Sequence, residues 1–377
     1  MIDSAIFEAI WWLFVSLNLI GFATMNCHDM GVGMLLPFVG RTDAERTVIL
    51  ISTGPNWEEN QIWFLASGSF VFAAWPLVYE NAYSGLYWNL LAVFSALSLR
   101  PVGCDCRSRI NNLTLRAIWD CGLFLGGAVP PFIFGVIIGN LMQGIPLALD
   151  GDINPYYSEN IWHLLNPYAL LAGFVSSAMI AMQGGVYLAN QTNSVIQDRA
   201  IRVAIVAALF MMIVFIGAEI WFQHIQESRT ASAIGASSIS TPITTLTAIA
   251  YDGWTANCVQ HSLVWILPAF SIMAGALVSV LHRFRQSLIG FFASSIAIAG
   301  VVGTMGAAVL PLLLSCSKVH NTRLDIWNSV SSHFNLPAMS WSTIVLIPFI
   351  VIYILWVLRV VREKDSKAFI HANNYRG

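Results

Sequence analysis

The sequence predicts an all-α polytopic membrane protein with nine transmembrane helices. Three observations carry that prediction. Of the 377 residues, 57% are hydrophobic and only 10% are charged, and the mean hydropathy is +0.68. A water-soluble domain carries roughly 25% charged residues, so this chain has too few charges to coat a water-facing globule. Apolar stretches of about 20 residues, the length a helix needs to cross the hydrocarbon layer, recur along the chain. The basic residues between those stretches sort to alternate sides. Lys+Arg 18 against Asp+Glu 20, without a long basic run, argues against nucleic acid as a partner.

The nine stretches are Ile6–Met25, Ile62–Tyr79, Ala82–Leu99, Cys121–Met142, Leu164–Leu188, Val203–Phe222, Leu263–Leu281, Leu288–Leu314 and Ala338–Leu358. Only Glu80 and Asn81 separate the second from the third, so these two read as a tight helical hairpin. The N-terminus lacks the basic region of a cleavable signal, and the first span is expected to stay in the mature protein. The 14 Trp residues read as an interface belt, with Trp11, Trp12, Trp88 and Trp341 near helix ends.

Nine spans put the two ends on opposite sides. The loops after spans 1, 3, 5 and 7 and the C-terminal tail then hold all the Lys and Arg except Arg229, Lys318 and Arg323. The positive-inside rule assigns the rich side to the cytoplasm, with the N-terminus outside and the C-terminus inside. Of the six cysteines, only Cys258 and Cys316 fall on the oxidising side. Spacing alone does not show whether they pair. Cys104-x-Cys106 lacks a second ligand pair and is a poor zinc signal. The Ser/Thr run Thr230 to Thr247 reads as an outer loop.

Ionisable residues at membrane depth are functional candidates. Four places stand out: His28 and Asp29 at the inner end of span 1; Trp57, Glu58, Glu59 and Asn60 entering span 2; Arg100 and Asp105 leaving span 3; and Asp120 entering span 4. All lie on the cytoplasmic face, where adjacent helices would bring Asp29, Glu58, Arg100, Asp105 and Asp120 together. Such a cluster can carry protons inward. The plainer reading is that Arg100 pairs with one acid and the others cap helices, since first-turn acids complement the helix dipole. Position alone favours the plainer reading. Glu219 near the outer end of span 6 is either an exit-side proton group or solvated at the interface. None of the eight histidines sits mid-span, so the chain offers no buried pair of haem ligands and no metal site.

At these motifs the chain resembles subunit II of bacterial cytochrome bd-type quinol oxidases. The resemblance is strongest in Leu19-Ile20-Gly21-Phe22-Ala23 running into Asp29-Met30-Gly31-Val32-Gly33, in Trp57 through Asn60 with Trp63, and in Ala73-Ala74-Trp75-Pro76 with Tyr79. Arg100-Pro101-Val102-Gly103 with Asp105, Arg107 and Ser108, Trp119-Asp120 with Gly122, and Gly139 through Gly144 extend it. The second half matches mainly by helix count and by Trp327, Ser331 and Ser332. The resemblance implies two four-helix bundles (1–142 and 164–314), a ninth helix (338–358) and a basic cytoplasmic tail (359–377). It also implies a haem-bearing subunit I holding haem b and haem d, or haem b alone. Small accessory single-helix subunits and a structural quinone in this chain are compatible with it. Electrons would come from membrane quinol, oxygen would be reduced to water in the complex, and the location would be the bacterial inner membrane.

The same resemblance shifts the acidic cluster toward proton transfer. Asp29 and Glu58 would be carriers, Arg100 a gate or pair, and Asp105 an uptake group, with His28, Trp57, Asn60 and Asp120 in support. Two motifs depart from the family pattern. Asp-Gly-Phe-Asp becomes Asn26-Cys27-His28-Asp29, and Trp-Asp-Gly-Asn becomes Trp57-Glu58-Glu59-Asn60. One acid is lost and another is lengthened, as in a divergent or cyanide-insensitive branch. Two other function classes remain: a secondary transporter, for which Pro130-Pro131 and Pro268 are the best support, and a purely structural scaffold.

Overall fold

A computed structural model describes residues 4–53, 57–110, 112–143, 147–149, 155–157, 164–192, 194–236, 265–283, 287–309, 312–314, 324–325, 331, 335–343 and 345. Among these the chain is helical except for two small ribbons. In order come α1 (Ser4–Met25), a π-helical turn (Cys27–Gly31), α2 (Val32–Val39), α3 (Asp43–Thr53), α4 (Trp57–Ala74), α5 (Pro76–Gly85), α6 (Tyr87–Arg109) and α7 (Leu113–Gln143). The ribbon β1 (Leu147–Leu149) with β2 (Pro155–Tyr157) comes next, then α8 (Pro167–Gln191), α9 (Ser194–Ala236), α10 (Ile266–Arg283) and α11 (Ser287–Val309). A second ribbon pairs β3 (Leu312–Leu314) with β4 (Leu324–Asp325).

Five helices in the described residues are long and apolar enough to cross a membrane, or six if the bent pair α5–α6 is one span. They cover predicted spans 1, 4, 5, 6 and 8. Spans 2 and 7 are present as the shorter apolar helices Trp63–Ala74 and Ile266–Leu281. Residues 335–343 are helical at the start of the ninth span, and its remainder lies outside the described residues, as do Cys258 and Cys316.

Several boundaries differ from the sequence reading, each for a local reason. The hairpin predicted at Glu80 and Asn81 is absent, because α5 runs straight through both. The breaks fall at Trp75 and Leu86, and α5 meets α6 at 80°. Pro76 has no N–H and cannot extend α4, and it drives the preceding residue out of the helical region; Trp75 sits at φ −132°, ψ 71°. The carbonyl of Ala74, released at this break, accepts from the Ser331 N–H at 2.9 Å. Span 1 does not end at Met25, since the π-helical turn carries it into α2. Span 3 does not end at Leu99, since α6 continues through Pro101 to Arg109. Span 8 stops at Val309, ahead of Pro311, and Leu312–Leu314 pair as a strand. The predicted Ser/Thr loop is helical as far as Ala236.

Helix α8 is the hub. It packs against α7, α9, α11, α2 and the π-helical turn, and 72% of its spanning window is buried, against 29–44% in the other four. Its start is set by Asn166, whose side chain accepts from Ala169 N–H at 2.7 Å, with Pro167 in the first turn. Small residues let neighbouring backbones touch α8. A Cβ on Gly184 would lie 2.6 Å from the Gly31 backbone, so only glycine permits this crossing. A second core joins α1, α4, α5 and helix 335–343 around Trp11 and Trp75. Trp11 is not an interface residue: it is 2% exposed and donates to Ser340 Oγ at 2.8 Å. Trp88 and Trp341 are exposed, as a belt requires.

Candidate functional site

The π-helical turn decides where Asp29 points. Its wide turn begins at buried Asn26, whose carbonyl accepts from the N–H groups of both Asp29 and Met30 and whose side chain donates to Phe22 O at 2.9 Å. A π-helical turn inserts one residue into the 3.6-residue repeat and rotates the residues after it about the helix axis. Asp29 is thereby held inside the helical layer, about 15 Å along the axis from the end of α2. It does not stand at a helix end, where the sequence pattern places it.

Arg100 reaches Asp29 from α6. The ion pair measures 3.4 Å from Nη2 to Oδ2, with the side chains 8% and 1% exposed. The buried face of α6 runs Val93, Ala96, Arg100, Gly103 and Arg107, the three-and-four spacing of one helical stripe. Room for Arg100 is made by Gly126 of α7, where a Cβ would meet Arg100 Cγ at 2.5 Å. Beside the pair lies a cavity of about 50 Å³. Asp29, Val32 and Gly33 form one wall, Arg100 and Cys104 a second, Leu123 a third, and Leu50 and Thr53 of α3 close it. A cavity of this size, with Asp29, Arg100 and Thr53 among mainly apolar walls, can hold a small water cluster.

A second constellation sits at the Arg107 end of α6 and the start of α7. Buried Asp120 accepts from Arg107 Nε at 2.5 Å and from Arg46 Nη1 at 2.9 Å. Arg107 also donates to Asp43 at 2.8 Å and to Thr47 Oγ1 at 3.0 Å. Arg116 holds the other Asp43 oxygen at 2.7 Å, and Arg199 joins Glu45 at 2.9 Å and Val39 O at 3.0 Å. Glu45 caps the start of α3 through the Arg41 N–H at 2.8 Å. That backbone bond, followed by the Arg199 side chain, holds its carboxyl below the usual carboxylate range. These pairs fasten α3 across α6, α7 and α9 and so over the cavity.

The structure therefore splits the predicted cluster. Asp29 and Arg100 come together as expected. Asp120 belongs to the second constellation, in a structural role. Asp105 joins neither: it is exposed and pairs with Arg109 one turn away at 3.1 Å. The helix positions of His28, Trp57, Glu58 and Asn60 are described, but their side chains are not. Glu219 is half-buried on α9 and Glu80 is exposed. Sequence reasoning missed Asp43, Arg46, Glu45, Arg116 and Arg199 as a network. The available signal was Arg107, seven residues from Arg100 and so on the same face.

This arrangement has known relatives. Residues 7–361 match the family described as cytochrome bd terminal oxidase subunit II. The chain belongs to that family. It is 37% identical over 376 residues to subunit 2 of the cytochrome bd-I ubiquinol oxidase of Escherichia coli strain K12, covering 100% of this chain and 99% of that protein. It is 34% identical to a probable cytochrome oxidase subunit 2 of Haemophilus influenzae and 26% identical to the Bacillus subtilis cytochrome bd ubiquinol oxidase subunit 2, at 99% and 96% coverage of those proteins. The fold matches a chain of the bd oxidase of Geobacillus thermodenitrificans with a TM-score of 0.59 at 13% identity, covering 94% of this chain and 98% of that one.

As a subunit II, this chain is a multi-pass subunit of a terminal respiratory oxidase of the bacterial inner membrane, an oxidoreductase complex that contains haem and a subunit I. The transporter reading is not favoured. His224, the histidine whose side chain is described, is exposed on α9, and among the described residues no three or more His, Cys, Asp or Glu converge as metal ligands.

Proposed function

We propose that this subunit delivers protons from the cytoplasm to the oxygen-reducing site of a haem-bearing subunit I, through the Asp29–Arg100 cavity. The observation that carries the reading is a buried acid ion-paired to an arginine beside a cavity large enough for water. Intramembrane ionisable pairs of this kind mark proton relays. Arg100 orients the Asp29 carboxylate and keeps a positive charge beside the path. Asp29 takes a proton from cavity water and passes it on, while Glu58 at the start of α4 is a second carrier and His28 stands next to Asp29 in the chain. Exposed Asp105 serves as an uptake group on the surface, and Trp57, Asn60 and Asp120 support the fold around the route.

In this reading the electrons come from ubiquinol. Haem b and haem d, or haem b alone, sit in subunit I, and a structural quinone is accommodated in this chain. Nine spans form two four-helix bundles over 1–142 and 164–314, with a ninth helix at 338–358 and a basic tail at 359–377. The N-terminus is periplasmic and the tail cytoplasmic. Lipid and small accessory subunits complete the surroundings.

The test is Asp29→Asn in the assembled complex. Quinol-dependent oxygen uptake should fall strongly while the haem difference spectrum stays unchanged. Oxygen uptake at the wild-type rate would remove Asp29 from the route and leave a scaffold subunit.

A further inference from the structure

The walls of the Asp29 cavity are not equivalent. Asp29, Val32, Gly33, Arg100 and Leu123 are buried, whereas Leu50 and Thr53 are half-exposed and Cys104 is exposed. The cavity therefore has a closed inner end at the ion pair and an outer end between α3 and α6. Cys104 stands one helical turn beyond Arg100 toward the Arg107 end of α6, the end that carries the second constellation. Thr53 is the last residue of α3. From the geometry we infer that Thr53 and Cys104 form the mouth through which cytoplasmic water reaches Asp29, and that they position that water. The inference rests on the proton-delivery reading above and adds where the route opens.

Three features support this placement. The Thr53 hydroxyl donates to Ile49 O at 3.2 Å, which leaves its oxygen lone pairs to receive a hydrogen from water. Leu50 gives the third side of the mouth an apolar surface, which narrows the wet path to the side of Thr53 and Cys104. The α3 wall is fixed in place by Asp43, Glu45 and Arg46, each ion-paired to a different helix of the bundle. Thr53 and Cys104 are positioning residues, since they act on Asp29 through water.

The experiment labels Cys104 in the assembled oxidase with 2-sulfonatoethyl methanethiosulfonate, a water-soluble reagent that stays out of lipid. The Cys104 thiolate attacks the reagent, forms a mixed disulfide and releases methanesulfinate. Labelling after assembly keeps folding out of the comparison, and a C104S complex treated in parallel accounts for reaction at other cysteines. Peptide mass spectrometry should find Cys104 modified. Oxygen uptake should fall several-fold, recover when dithiothreitol removes the label, and show no reagent response in C104S. The haem difference spectrum should stay constant throughout, and T53V should enlarge the solvent deuterium isotope effect on turnover.

Failure of Cys104 to react would overturn the inference, because a mouth must be wet. Full modification with unchanged oxygen uptake would overturn it as well. Asp29→Asn run alongside separates the two levels. If it stops turnover while labelled Cys104 does not, the mouth lies elsewhere and proton delivery stands. If Asp29→Asn turns over normally, delivery itself fails, and the mouth with it.

Discussion

The Asp29–Arg100 pair makes a quantitative prediction about stability. At 3.4 Å, two unit charges attract by about 5 kcal/mol at an effective dielectric of about 20. Both groups are almost fully shielded, so each has given up hydration to be there. Removing one partner leaves the other charge buried and uncompensated, which costs about 3–5 kcal/mol. Asp29→Asn and Arg100→Met should each lower stability by that amount. The double variant buries neither charge, so its cost should fall short of the summed single costs by about 3 kcal/mol, near the upper end of measured couplings. The assay is a double-mutant cycle on thermal unfolding of the detergent-solubilised complex, monitored by loss of the haem spectrum. Strictly additive single effects would refute the reasoning, because the two side chains would then not share one buried electrostatic site.

Neighbouring contacts set further expectations. Asp120→Asn should destabilise by about 1.5–3 kcal/mol, since buried Arg107 loses its Asp120 carboxylate partner but keeps Asp43; Asp105→Asn, at an exposed pair, should change thermal stability by less than about 1 kcal/mol. Gly184→Ala should cost about 1–3 kcal/mol by overpacking, because its Cβ would meet backbone at 2.6 Å, while Gly217→Ala, with nothing within 4 Å, should be neutral or slightly stabilising in the same unfolding assay. Glu45 has a folded-state pKa below its unfolded value. Its contribution to docking α3 is therefore present above the unfolded pKa and is lost as pH falls through the depressed folded value. Hydrogen exchange across α3 should accelerate over that acid window in the wild type, and Glu45→Gln should flatten the dependence.

Much of the architecture is legible in the sequence, because hydrophobic length alone marks a spanning helix. Cys121–Met142 and Val203–Phe222 each fall inside an observed helix for that reason. Hydropathy does not supply local geometry. Glu80 and Asn81 look like a turn because they are polar, but α5 accommodates both, with Glu80 exposed, and the true break is caused by Pro76. The π-helical turn ends at Gly31, which meets Gly184, a contact more than 150 positions apart in sequence. No local pattern announces it.

The candidate site is legible in the same partial way. Arg100 and Asp29 are recognisable as ionisable residues at the ends of apolar spans. Proximity in the chain groups Asp105 with them, yet five residues from Arg100 on a helix means a rotation of about 140°, which turns it away from the stripe that Arg100 shares with Gly103 and Arg107. Helical periodicity separates Asp105 from the pair. The partners Asp43, Arg46 and Arg116 carry no such signal, because they are brought together by α3 folding back over the bundle.

The most direct test of the account is single-turnover proton uptake. The fully reduced complex, with its tail-side face toward a pH-sensitive dye, is mixed with oxygen, and proton uptake is recorded alongside haem oxidation. Wild type should take up protons in step with oxygen reduction. Asp29→Asn should bind oxygen and begin haem oxidation at the wild-type rate, then stall with uptake slowed severalfold. Proton uptake at the wild-type rate in Asp29→Asn would contradict the claim that this subunit carries protons through the Asp29–Arg100 cavity.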